Sequence, residues 1–94
     1  MKNLIAYNYK EAKNLLKENK GKIKSLILID PSPTFFRKLI PKRVVNFVVF
    51  RRRGDKTFKF SVDPNFTTSR VIEVKTDDNI KDCEQVKLFL ERII

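Results

Sequence analysis

Three groups of residues in this 94-residue chain could do chemistry. The first is Glu73 and Lys75, in the run Arg70-Val71-Ile72-Glu73-Val74-Lys75. A spacing of two on a strand puts the carboxylate and the ammonium on one face. With a second carboxylate, from Asp63 or Asp55, they could hold Mg2+ beside a phosphate. The second group is cationic: Arg37, Lys38, Lys42, Arg43, Arg51, Arg52, Arg53, Lys56 and Lys59, with Asp55 the one acid in that stretch. Such side chains bind phosphate backbones, and the three consecutive arginines are costlier than lysines to explain as solubility filler. The third is aromatic: Phe35, Phe36, Phe47, Phe50, Phe58 and Phe60 interleave the basic stretch. A phenylalanine on a solvent face would stack on an exposed base, and Phe50 is the first candidate, with Phe35 or Phe36 next.

Other chemistries are excluded. The chain has no His, so no Ser-His, Cys-His or His-metal arrangement exists. The single Cys83 forms no intrachain disulfide or Cys-rich zinc site, and it lies on an apolar helical stripe as a small hydrophobe. The two glycines, Gly21 and Gly54, make no phosphate-cradling loop.

The element Val71-Ile72-Glu73-Val74-Lys75 resembles the E-x-K element of the PD-(D/E)XK nuclease superfamily, over about residues 55–90. Gln85, in the following helix, is similar to a Gln that some members carry there. The resemblance implies a Mg2+-dependent nuclease in which Asp63 and Glu73 hold the metal and Lys75 steadies the attacking water or the phosphate. The chain departs from the pattern in three ways. Asp63-Pro64 reverses the usual Pro-Asp order, no strand follows the last helix, and the strand order does not match the family's core. Alternating Glu and Lys also serve cross-strand pairing on an exposed strand. That is the expectation adopted for Glu73 and Lys75, and it requires no cofactor.

The charge is unevenly distributed. Twenty-one Lys and Arg face eleven Asp and Glu, a net +10. Residues 1–62 hold sixteen cations against four acids, a net of +12; residues 63–94 hold five against seven, a net of −2. A field so polarised favours polyanions and speeds association with them. Lys10, Lys13, Lys17 and Lys20 on the first helix are read as a solvated surface.

The elements that must position these groups follow from local patterns. Asn3 to Tyr7 is a short apolar strand, and Asn8 with Glu11 three residues on forms a capping box that opens a helix at about 9–20. Gly21 closes it. Ile23 to Ile29 is a strand apolar on both faces, as in the centre of a sheet. Asp30-Pro31-Ser32-Pro33 stops it, and Thr34 caps a short helix from Phe35 to Ile40. Val44 to Arg53 and Lys56 to Asp63 read as a β-hairpin about Gly54-Asp55, cationic at its tip. Val71 to Lys75 is a short strand. Asp77 and Asp78 open a last helix whose stripe is Ile80, Cys83, Val86, Phe89, Leu90, Ile93 and Ile94. Its Val86, Phe89 and Leu90 should pack against Phe60 or Val62. No repeat is visible.

The expectation is one α+β domain over residues 1–94: a mixed or antiparallel sheet of four to five strands, two main helices on one face, and a basic β-hairpin. Its function is expected to be nucleic-acid binding, DNA or RNA, through the hairpin and the loop before it. A Mg2+-dependent nuclease and a protein-interaction or inhibitor module, using the sheet edge or the Phe35-Phe36 loop, are the alternatives. Monomer and homodimer both stay open. The apolar runs Leu26–Ile29 and Val44–Phe50 fall short of the roughly 20 residues of a membrane helix, and no signal peptide is visible. A cytoplasmic location without membrane attachment is therefore expected.

Overall fold

The structure, a computed structural model, describes residues 2–30, 37–52, 59–75 and 79–93, with the backbone alone for 37–39, 59–61 and 81. The elements in chain order are β1 (Lys2–Ala6), α1 (Tyr9–Glu18), β2 (Ile23–Ile29), β3 (Arg37–Leu39), β4 (Val44–Arg52), β5 (Lys59–Ser61) and β6 (Thr68–Val74). A 3-10 turn (Ile80–Asp82) then leads into α2 (Glu84–Ile93).

Helix α1 begins as its sequence requires. The Asn8 side chain accepts from the Glu11 amide at 2.9 Å, and the Glu11 carboxylate accepts from the Tyr7 amide at 2.7 Å. Two orphan amides of the first turn and its approach are thus satisfied reciprocally. The helix stops at Asn19, whose amide donates to the Leu15 carbonyl. Gly21, two residues on, takes φ +96, a left-handed conformation that a Cβ disfavours.

The four long strands form one sheet in the order β1-β2-β4-β6, every pair parallel. The expected mixed or antiparallel sheet is therefore wrong, and so is the hairpin. β4 lies between β2 and β6, while β5 pairs with β3 in a separate two-stranded parallel ribbon. The physical reason lies in β4 itself. Phe47 and Val49 are fully buried on one face, and Val48 and Phe50 are buried on the other. A strand apolar on both faces needs cover on both, which interior parallel strands receive from their crossovers. Both hydrogen-bonding edges of β4 are also taken, by β2 and β6, which leaves none for a hairpin partner. The Gly54-Asp55 signal, a local one, lies outside the described residues. Residues 37–39, expected in a short helix, form strand β3.

Each face of the sheet has its own core. Leu4, Ala6, Leu26, Leu28, Phe47 and Val49 pack against Ala12, Leu15 and Leu16 of α1, and against Ile40 and Val62, which follow β3 and β5. A strand order that advances in one direction, with one hand of crossover, puts every connection on the same face. Ile27, Ile29, Val48, Phe50 and Val74 meet Ile80, Val86, Phe89 and Leu90 on the opposite face. The two helices therefore flank the sheet instead of sharing a side. The expected partner of α2, Val62, lies in the other core; the helix packs on Phe50, whose ring meets Phe89 edge-to-face at 5.1 Å.

The second half of the chain is a coil that the sequence does not advertise. Register partners are 21 residues apart between β2 and β4 (Ile23↔Val44), and 22 apart between β4 and β6 (Asn46↔Thr68) and between β3 and β5 (Arg37↔Lys59). No described helix is long and apolar enough to cross a membrane.

Candidate nucleic-acid interface

The carboxyl end of the sheet carries arginines already matched with acids. Arg51 and Glu73 are register partners on β4 and β6, and Arg51 Nη2 donates to Glu73 Oε1 at 3.0 Å. The Arg51 side chain is largely buried, and its Nε has no partner. Arg52 Nε lies 3.9 Å from Asp30 Oδ2, and Asp30 sits at the end of β2 with φ 48. Phe50 is completely buried and offers no face to a base. Arg53 and Lys56 lie outside the described residues, as do Phe35, Phe36 and Asp55.

The E-x-K residues are not gathered with Asp63. Asp63 precedes β6 at the amino end of the sheet, where its carbonyl accepts from the Phe66 and Thr67 amides at 3.1 and 2.9 Å. Glu73 stands near the other end of the strand. Five residues separate Thr68 from Glu73, or about 17 Å at the usual strand rise. Glu73 faces the neighbouring strand's Arg51, as cross-strand pairing requires, and exposed Lys75 follows the end of β6. Among the described residues no three His, Cys, Asp or Glu are grouped to hold a metal.

The amino end of the same sheet is different. There the residues just before each strand stand side by side, because parallel strands bring all their starts to one rim. Lys2 begins β1, Lys22 precedes β2, Lys42 and Arg43 precede β4, and Phe66 and Thr67 precede β6. Four strands at about 4.8 Å spacing make a rim about 14 Å long. At its β1–β2 corner, Lys2, Lys20 and Lys22 line a hollow of about 300 Å3 with Glu18, Asn19 and Ile23. Lys2 Nζ donates to Asn19 Oδ1 at 3.0 Å, while Lys20 and Lys22 are exposed.

Arg43 is built into this rim. Its guanidinium donates to the Asn19 carbonyl at 2.6 Å, the Gly21 carbonyl at 3.1 Å and the Leu16 carbonyl. The Leu16 and Asn19 carbonyls belong to the last turn and cap of α1, where a cation is favoured by the helix dipole, and Gly21 lies just beyond. In the structure its Nη1 and Nη2 are thus engaged by backbone carbonyls.

Next along the rim, Lys42 has a side chain 69% exposed. Its Nζ lies 4.0 Å from Asp63 Oδ2 and 4.7 Å from the centroid of the Phe66 ring. The β3–β5 ribbon leads into the same rim. Leu39 ends three residues before Lys42, and Ser61 two residues before Asp63. Within the ribbon Arg37 is the register partner of Lys59, and Lys38 is one step on beside Phe60.

Sequence reasoning singled out Lys42, but it left Lys2, Lys20, Lys22 and Phe66 outside the site. The available signal was a lysine within two residues of the start of each of the two most apolar strands, Lys22-Ile23 and Lys42-Arg43-Val44. Only a parallel register turns those separate positions into neighbours. Comparison with protein-family models, curated proteins and solved structures finds no match to this chain.

Proposed function

We propose that this protein binds nucleic acid, with the amino-end rim of its parallel sheet as the phosphate-contacting surface. The observation that carries the reading is the convergence of Lys2, Lys20 and Lys22 on one hollow, with Lys42 further along the same edge. Two acids, Glu18 and Asp63, stand among them. The surplus is thus cationic, and the rim belongs mainly to residues 1–62, the segment with net +12. The ammonium groups of exposed lysines such as Lys20 and Lys22 are compact, hydrated point charges, which suit point contacts to phosphate instead of bidentate reading of a base. Binding of this kind is backbone-dominated. The backbone of the β3–β5 ribbon, which carries Arg37, Lys38 and Lys59, leads into the same edge. Arg51 and Arg52 are peripheral to it, since their charges face Glu73 and Asp30.

The test is fluorescence anisotropy of a labelled single-stranded oligonucleotide, titrated at several salt concentrations. Log affinity should fall linearly with log salt, with a slope of about 0.7 per phosphate neutralised. The combined change Lys20→Gln, Lys22→Gln and Lys42→Gln should weaken binding at least about tenfold near 0.1 M salt and flatten the slope by about two units. The matched control is Lys10→Gln, Lys13→Gln and Lys17→Gln on exposed positions of α1, which removes the same charge elsewhere. Equal losses in both variants would mean diffuse attraction and no rim site. Absence of binding in the unaltered protein would end the nucleic-acid reading.

A further inference from the structure

From the geometry of the 63–67 turn we infer that Phe66 is a base-stacking platform, so that the rim takes single-stranded nucleic acid in preference to duplex. This rests on the nucleic-acid reading above and adds what that reading lacks, a contact to bases.

Three observations combine. Phe66 is 53% exposed, the most exposed of the large apolar side chains described. It is also held in place from below. The Asp63 carboxylate accepts from the Asn65 amide at 3.0 Å, and the Asp63 carbonyl accepts from the next two amides. Thr67, 3% exposed, donates from its hydroxyl to the Val44 carbonyl at 2.7 Å. The ring therefore projects from a backbone turn locked to β4, so that little is lost in placing its Cα when a ligand arrives. Finally, its neighbour is a cation. Lys42 lies over the ring and is itself mostly exposed, so that one side chain can reach a phosphate while the ring meets the adjoining base. An aromatic beside a lysine on a cationic edge is what single strands use: every base has a π-face, and only an unpaired base can turn it outward. In a duplex those faces are stacked on each other and closed to Phe66.

The experiment compares three probes of equal length in the unaltered protein: a single-stranded oligonucleotide, the same strand in a duplex, and a strand with abasic sites that keeps every phosphate. The single strand should bind tighter than the abasic strand by roughly 5- to 150-fold, the worth of one stacked base. Phe66→Leu, which keeps an apolar group of similar size, should remove that preference while leaving affinity for the abasic strand and its salt slope unchanged. Lys42→Gln should do the reverse, lowering the salt slope by about 0.7 while keeping most of the preference. Thermal unfolding of Phe66→Leu, expected to match that of the unaltered protein, shows that the turn persists. Equal binding of single-stranded and abasic probes, or a preference that survives Phe66→Leu, overturns the stacking role and leaves the rim reading intact. Failure of all three probes to bind overturns both.

Discussion

Arg43 shows how one side chain's partners decide its role. By type and neighbourhood it belongs with the cations expected to contact phosphate, beside Lys42 in the basic stretch. In the fold its guanidinium lies against the end of α1 and donates to three carbonyls. Hydrogen bonds from a charged donor contribute about 1.5–3 kcal/mol, less where water can replace them. Arg43→Gln should therefore lower unfolding free energy by about 1–3 kcal/mol in a urea titration. Oligonucleotide affinity of the folded variant should stay within about twofold, far from the loss expected of the rim lysines. A variant of normal stability and weakened binding would reassign Arg43 to the interface. Glu73 makes the converse point. Its carboxylate is 44% exposed and pairs with Arg51, so Glu73→Gln should cost at most about 1 kcal/mol, as for other partly exposed pairs.

At the scale of elements, the fold turns on how both faces of β4 are covered. One face receives α1 and the residues that follow β3 and β5; the other receives α2. Helix α2 adds a tether, because Asn3 Nδ2 donates to the Ile93 carbonyl at 2.9 Å and joins its last turn to β1. Removing apolar volume from α2 should therefore expose the Phe50 face. Leu90 is half-buried there, so Leu90→Ala should cost about 2–3 kcal/mol, near the low end for a truncated leucine. Phe50→Ala, at a fully buried position, should cost about 3–5 kcal/mol. Both are read as shifts of the denaturation midpoint. A near-neutral Leu90→Ala would mean that α2 is displayed and not packed.

The whole molecule carries +10 on 94 residues, and it carries that charge unevenly. Such a charge acts beyond contact distance, over roughly 8 Å at physiological salt and about 14 Å at a third of that concentration. Capture of a polyanion should therefore be steered, with an association rate constant that falls several-fold between about 0.05 and 0.2 M salt. Stopped-flow mixing measures it directly. The rim variant should lose more in dissociation than in association, since steering depends on total charge while residence depends on local contacts. Equal changes in both rates would place the rim lysines among the steering charges only.

Some of this protein was legible before any tertiary contact is considered. Asn8, Glu11 and the stripe that follows specify α1 within a dozen residues, because capping and periodicity act over one or two turns. The apolar run from Leu26 to Ile29 marks an interior strand for a similar reason: a stretch with no polar face must be buried on both sides. The charge imbalance is likewise a property of composition. Tertiary structure alone decided the pairing of β4, since a turn signal at Gly54-Asp55 says nothing about which neighbours will cover Val48 and Phe50. It also decided the site. Lys2, Lys22, Lys42 and Phe66 are separated by about twenty residues each. They meet only because the strands are parallel and successive coils are 21 or 22 residues long, which brings every strand's start to the same edge.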